Sequence, residues 1–182
     1  MAGLGLLFKR EYFKPSAIRL AEAAQSVGPG ASYYAISMGS GPIGYASSTL
    51  DTLPDEIHVQ DRMTIDIEAL GTVQRTDLVT DIQLTRDLRV RTFTASLTSP
   101  AGAFRAVGTV EGDSVLVVEI DAGGNRPQRS RVRLDRPIVL PALLPLELAV
   151  RGQLRVGRSY TIRLFDPMLM QDQDVEVRVL AE

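Results

Sequence analysis

Carboxylates and arginines, not nucleophiles, are the reactive groups this chain offers. It contains one histidine and no cysteine, which removes disulfides, thiolate metal sites and a Cys nucleophile together. Any Ser-His-Asp triad or zinc site would have to use His58, yet no Gly-x-Ser-x-Gly elbow and no second imidazole accompanies it. His58 also falls in the polar half of an alternating segment, which makes it a surface side chain. No catalytic residue, metal ligand or cofactor-binding residue is therefore assigned, and no cofactor is expected.

Asp61 is the carboxylate whose position asks for an explanation. Across residues 57–68, Ile57, Val59, Met63, Ile65 and Ile67 alternate with His58, Gln60, Arg62, Thr64, Asp66 and Glu68, so one side faces a core and the other faces water. Asp61 falls in the apolar set, where an unpaired charge is costly. It reads either as an acid or base with a raised pKa, or as a bulge, a strand-end irregularity or a buried ion pair with an arginine. An enzyme reading needs Asp77 or Asp81 on a neighbouring strand to converge with it, and the spacing gives no argument that either does.

Two other clusters carry weaker signals. Gly39-Ser40-Gly41-Pro42-Ile43-Gly44 lacks the spacing of a phosphate loop and no helix follows it, so a hairpin turn is expected. Arg129, Arg131 and Arg133 share one side of a strand, with Arg126 and Arg136 nearby. They form a candidate basic patch for an anionic partner or lipid head groups, or else a solvated strand face.

The elements that must position these groups are mainly β. A chain of 182 residues fits one domain that buries roughly 70% of its unfolded surface. With 45% hydrophobic but 5% aromatic residues and no Trp, its core must be aliphatic. Twenty basic and 22 acidic residues are interspersed for a net charge of −2, which argues against nucleic acid as a partner. Alternation marks strands over residues 32–38, 43–52, 57–68, 72–85, 88–99, 104–110, 115–121, 128–134, 159–165 and 174–180.

One segment breaks the alternation. Residues 138–150, IVLPALLPLELAV, are almost wholly apolar and carry Pro141 and Pro145, with leucines spaced for a short helix after each proline. The expected fold is a strongly curved antiparallel meander, half-barrel-like, with this Pro/Leu-rich helix on its concave face. Leu140, Leu143, Leu144, Leu146 and Leu148 are then the candidate ligand or packing surface. If they fill the concavity, nothing else fits there. If they roof an apolar cavity of about 300 Å³ or more, a small ligand does.

The start of the chain differs in character. Residues 2–8, AGLGLLF, are apolar and are followed by Lys9 and Arg10. The run is too short for a bilayer core that needs about 20 residues, and its charges lie on the wrong side for a secretory signal. It is either the end of a longer signal-anchor or part of an amphipathic N-terminal helix. Residues 15–26 have helical composition and Val27-Gly28-Pro29-Gly30 ends them. The organisation expected is a helical segment and linker over 1–30 and a single β-rich domain over 31–182.

Tyr33-Tyr34-Ala35-Ile36, then Pro42-Ile43-Gly44-Tyr45-Ala46-Ser47-Ser48-Thr49, then Leu140-Pro141-Ala142-Leu143-Leu144-Pro145-Leu146 and Phe165-Asp166-Pro167 together resemble the N-terminal β-rich domain of bacterial membrane-anchored transglutaminase-like proteins. In that family a transmembrane helix precedes the domain and a papain-like domain with a Cys-His-Asp triad follows it. The resemblance implies a non-catalytic, accessory domain on the extracytoplasmic side of the cell envelope, packing against a catalytic domain or envelope protein and held near the membrane by its N terminus; outside that setting the expected location is cytoplasmic. With no cysteine, no triad residue carries over. The alternative expectation is a module resembling lipoprotein carriers, whose concave face holds a lipid or acyl chain.

Overall fold

Apolar residues at every second position give a strand one dry face, and neighbouring strands of this kind lie down side by side to pool those faces. In a computed structural model, which describes residues 29–38, 41–69, 71–124, 126–151 and 155–178, this happens eight times in succession. The strands are β1 (Gly30–Met38), β2 (Gly41–Thr52), β3 (Glu56–Ala69), β4 (Thr72–Thr85), β5 (Val90–Ser99), β6 (Gly102–Glu111), β7 (Val115–Asp121) and β8 (Gln128–Arg133). They form one antiparallel meander in sequence order, open between β1 and β8 instead of closing into a barrel. A 3₁₀ turn (Pro141–Leu143) and the helix α1 (Leu144–Arg151) follow, then a separate hairpin of β9 (Ser159–Asp166) and β10 (Gln171–Arg178). The N-terminal helix expected over 15–26, the apolar start at 2–8 and the turn residues Gly39 and Ser40 lie outside the described residues.

The strand expected from residue 88 begins at Val90 instead. Leu88 takes a left-handed φ of 62°, inside a turn closed by the Thr85 N–H on the Arg89 carbonyl (2.8 Å) and the Leu88 N–H on the Thr85 carbonyl (2.9 Å).

Register stacks the apolar positions into rows across the sheet. Val59 lies opposite Ile82, Ile82 opposite Phe93, Phe93 opposite Gly108 and Gly108 opposite Val118. Beside it run Ile57, Leu84 and Val90. Every side chain of these two rows is buried, and the cover comes from the segment that broke the alternation. Ile138 and Leu140 reach the core in extended chain, Leu143 follows from the 3₁₀ turn, and Phe165 joins them from β9. The Phe165 N–H donates to the Val139 carbonyl at 2.7 Å, tying the second hairpin to the cover. Pro141 opens the 3₁₀ turn and Pro145 sits in the first turn of α1, where a missing N–H leaves no helical bond unmade.

Gly108 fits this core because it has no side chain. A Cβ there would stand 2.1 Å from Cε1 of Phe93, whose ring is 2% exposed and has nowhere to go. Gly108→Ala should therefore destabilise the fold by about 1–3 kcal/mol, the usual range for overpacking, measured as a lowered midpoint of urea unfolding. A midpoint equal to that of the wild type would show that the Phe93 ring moves freely.

Candidate functional site

The dry core gives out within the row beside that of Val59, where Thr80, Ala95 and Ala106 are buried but Ser48 and Asp61 only half-buried. Next to the Val59 row runs Ser48–Asp61–Thr80–Ala95–Ala106, and beyond it Met63–Leu78–Leu97–Phe104, all four of which are half-buried. Over this boundary the cover leaves a pocket of about 360 Å³. Asp61, Met63, Leu78 and Thr80 form its floor, and Leu140, Ala142, Leu144 and Pro145 lie across it. Tyr34 of β1 and the turn after β9, Asp166 to Met168, also line it. A smaller recess of about 190 Å³ shares Tyr34, Ala142 and Pro145 and continues past them to Ser32, Ser48 and Leu146.

The five leucines singled out by sequence thus divide their work. Leu140 and Leu143 are core, Leu140 also touching the pocket, while Leu144 borders the larger cavity and Leu146 the smaller. Leu148 is half-buried and lines neither. The segments around Tyr34, around Leu140 to Leu146 and around Asp166-Pro167, far apart in the chain, meet at this one place.

Asp61 sits in an unbroken stretch of ladder, opposite Ser48 on one side and Thr80 on the other. It is not a bulge, and no arginine among the described residues pairs with it. Its carboxylate is half-buried, and loss of hydration pushes its pKa above the ordinary aspartate value, a shift opposed in part by a hydrogen bond with the Ser48 hydroxyl. The aspartates on other surfaces contrast with it. Arg75 holds Asp66 through two bonds of 2.8 and 2.9 Å, Arg163 holds Asp174 at 2.6 Å, and Arg136 holds Asp172 at 2.9 Å. The hydrogen bonds from Arg75 and Arg163 keep Asp66 and Asp174 below the usual carboxylate range.

The carboxylate pair needed for an enzyme does not form. Asp77 and Asp81 are an odd number of residues from Thr80 and so point out of the opposite face, where Asp77 accepts the Thr64 hydroxyl at 2.6 Å and Asp81 the Gln60 amide at 2.8 Å. His58 is on that outer face too, its Nε2 3.9 Å from Asp81. The second carboxylate near Asp61 is instead Asp166, and it is occupied. Its Oδ1 accepts the backbone N–H groups of Met168 (2.8 Å) and Leu169 (3.1 Å), an Asx turn that shapes the pocket rim.

The arginine stripe is exposed on β8, as its alternation implies. Arg131 lies opposite Val117 and Arg129 opposite Glu119. Val117 is only 7% exposed on this polar face, as expected where arginine stems lie over an apolar neighbour, and Arg131 bonds Glu111 at 2.7 Å. A cavity of about 340 Å³ between β8 and the second hairpin holds Arg133, Arg136 and Arg163, of which the last two are already paired with Asp172 and Asp174.

Thr80, Tyr34 and the Asp166 turn escape a reading of the sequence, because the first two look like ordinary strand residues and the third like a loop. Only the pairing register joins Thr80 to Asp61. Among the described residues no group of three or more His, Cys, Asp or Glu side chains could hold a metal, and no helix is long and apolar enough to cross a membrane. No protein-family model, curated protein or solved structure matches the chain.

The raised pKa of Asp61 has a sign in stability. The unfolded carboxyl ionises near pH 4 and the folded one later, so folding loses stability as pH rises from about 4 through the folded value, and the loss persists above it. Asp61→Asn removes this cost while keeping an acceptor for Ser48. The variant should melt higher than wild type at pH 7, with the gap narrowing toward pH 4, measured by thermal unfolding across pH. A lower melting temperature at pH 7 would contradict it.

Proposed function

We propose that this chain is a non-catalytic binding module that takes the apolar body of a small amphiphile into the pocket between the sheet and the Pro/Leu-rich cover. The observation that carries the reading is the pocket itself. At about 360 Å³ it falls within the range of small-ligand sites, and like them it is mostly apolar with a few convergent polar groups. The inner face is filled over the Val59 row and left partly open around Asp61 and over the Met63 row, the arrangement of a roof over a cavity. The outward placement of Asp77, Asp81 and His58, and the engagement of Asp166 by backbone N–H groups, favour binding over catalysis.

A second reading rests on the resemblance to the N-terminal domain of membrane-anchored transglutaminase-like proteins. What favours it is that three of the four short segments carrying the resemblance, those around Tyr34, Leu140 to Leu146 and Asp166-Pro167, adjoin one pocket. On that reading the domain is accessory, faces the cell envelope and packs against a catalytic domain. The neighbouring coding sequence checks it: an in-frame hydrophobic segment upstream or a cysteine-bearing papain-like domain downstream supports it, and the lack of both overturns it.

The binding reading is tested with N-phenyl-1-naphthylamine, an uncharged apolar reporter whose fluorescence rises out of water. Saturable binding is expected. Ala142→Trp, which places a large ring where both recesses meet, should weaken it at least tenfold, about 1.4 kcal/mol, with the melting temperature little changed. No saturable signal, or equal binding by the variant, would overturn the reading.

A further inference from the structure

Given the binding reading on which it rests, the charge of the ligand can be read from the pocket walls. Among the described residues, two ionisable carboxyl groups line the cavity, Asp61 and Asp166, and no arginine, lysine or histidine does. An anionic head drawn into this space would meet two like charges and no counter-ion, and a wholly apolar ligand would leave a half-buried carboxylate facing hydrocarbon.

The two acids do not stand in the same state. Asp166 is satisfied on Oδ1 by two backbone N–H groups and receives the Gln173 amide on Oδ2 at 3.4 Å. Asp61 has the Ser48 hydroxyl and, among the described residues, no cation. Asp66, Asp172 and Asp174 engage their arginines in exposed pairs, where the pair is worth little. Asp61, half-buried in the floor of an apolar pocket, has no such partner among the described residues.

The surroundings of Asp61 suit an ammonium group. Three N–H donors need three acceptors converging from different directions. The carboxylate of Asp61 is flanked along its row by the hydroxyls of Ser48 and Thr80, which lie directly across the neighbouring strands. Tyr34, at the junction of the two recesses, offers a ring face, a further attraction for a cation.

We infer that the pocket receives an organic amine with an apolar body, its hydrocarbon against Met63, Leu78 and Leu144 and its ammonium on Asp61 between the Ser48 and Thr80 hydroxyls. The ligand supplies the counter-ion that Asp61 lacks among the described residues. Charge complementarity is then what separates it from a fatty acid of the same length.

The test is displacement of N-phenyl-1-naphthylamine at pH 7 by dodecylamine, dodecanol and dodecanoate, each below its micelle-forming concentration. Dodecylamine should displace the reporter at a concentration at least tenfold lower than dodecanoate, with dodecanol between. In Asp61→Asn, confirmed folded by its melting curve, the advantage of the amine over dodecanoate should shrink to less than threefold. Dodecanoate equal to or better than dodecylamine in the wild type overturns the inference and leaves the binding reading standing, as does an amine preference that survives Asp61→Asn. Failure of the reporter and all three competitors to bind overturns both.

Discussion

An open meander has two broad faces, and in this chain only one of them is polar. That single fact sets the requirement the rest of the molecule meets. Left wet, the inner face would forfeit about 25 cal/mol for each Å² of apolar surface, so a stable fold needs a cover that the sheet cannot make from its own strands. Residues 138–146 and Phe165 provide it. Pro141 and Pro145 matter here for what they prevent. Without their N–H groups the segment cannot extend the ladder past β8 as a ninth strand, and it crosses the inner face instead. The bond from the Phe165 N–H to the Val139 carbonyl then satisfies backbone that has left the sheet and holds the β9–β10 hairpin to the cover.

The cover is incomplete for a reason that also lies in the sheet. Had the third row carried an aliphatic residue in place of Asp61, closing the cover over it would bury more apolar surface and cost nothing electrostatic. With a carboxylate there, complete closure means removing a lone charge from water, a cost that one hydroxyl neighbour does not offset. Cavity and carboxylate therefore sustain each other. The pocket keeps Asp61 partly hydrated, and Asp61 keeps the pocket from collapsing into core.

Period-two alternation was enough to recover the strands, because each has one buried and one wet face and that difference is written locally. It also placed Asp61 on the buried side and the arginines on the wet side. What it could not provide is depth along a strand. Ile57 and Met63 look equivalent in the pattern, yet one is fully buried and the other half-buried, since burial depends on where a segment some 80 residues later crosses the sheet. The same limit explains why Asp77 and Asp81 could be entertained as partners for Asp61. Parity within β4 fixes the face of each residue, but only the pairing of Asp61 with Thr80 says that odd-numbered residues of β4 point away from Asp61. Leu88 is a smaller case: an apolar residue in phase with its neighbours reads as strand, while its positive φ belongs to the turn that creates the register shift after Gln83.

Along the cover, residues of the core and of the pocket wall adjoin one another, and Leu140 belongs to both. In a 3₁₀ turn leading into a helix, successive side chains point in different directions, and here Leu143 enters the core while its neighbours Ala142 and Leu144 border the pocket. The same holds after β9, where Phe165 is core and the next three residues form the rim. Changes at Ala142, Leu144, Pro167 or Met168 can reshape the cavity without removing anything from the Val59 row. Changes at Leu140, Leu143 or Phe165 cannot. A scaffold built this way holds its acid fixed on a rigid strand and its walls on adjustable connections, so the charge preference of the site is set by the sheet and its shape by the cover.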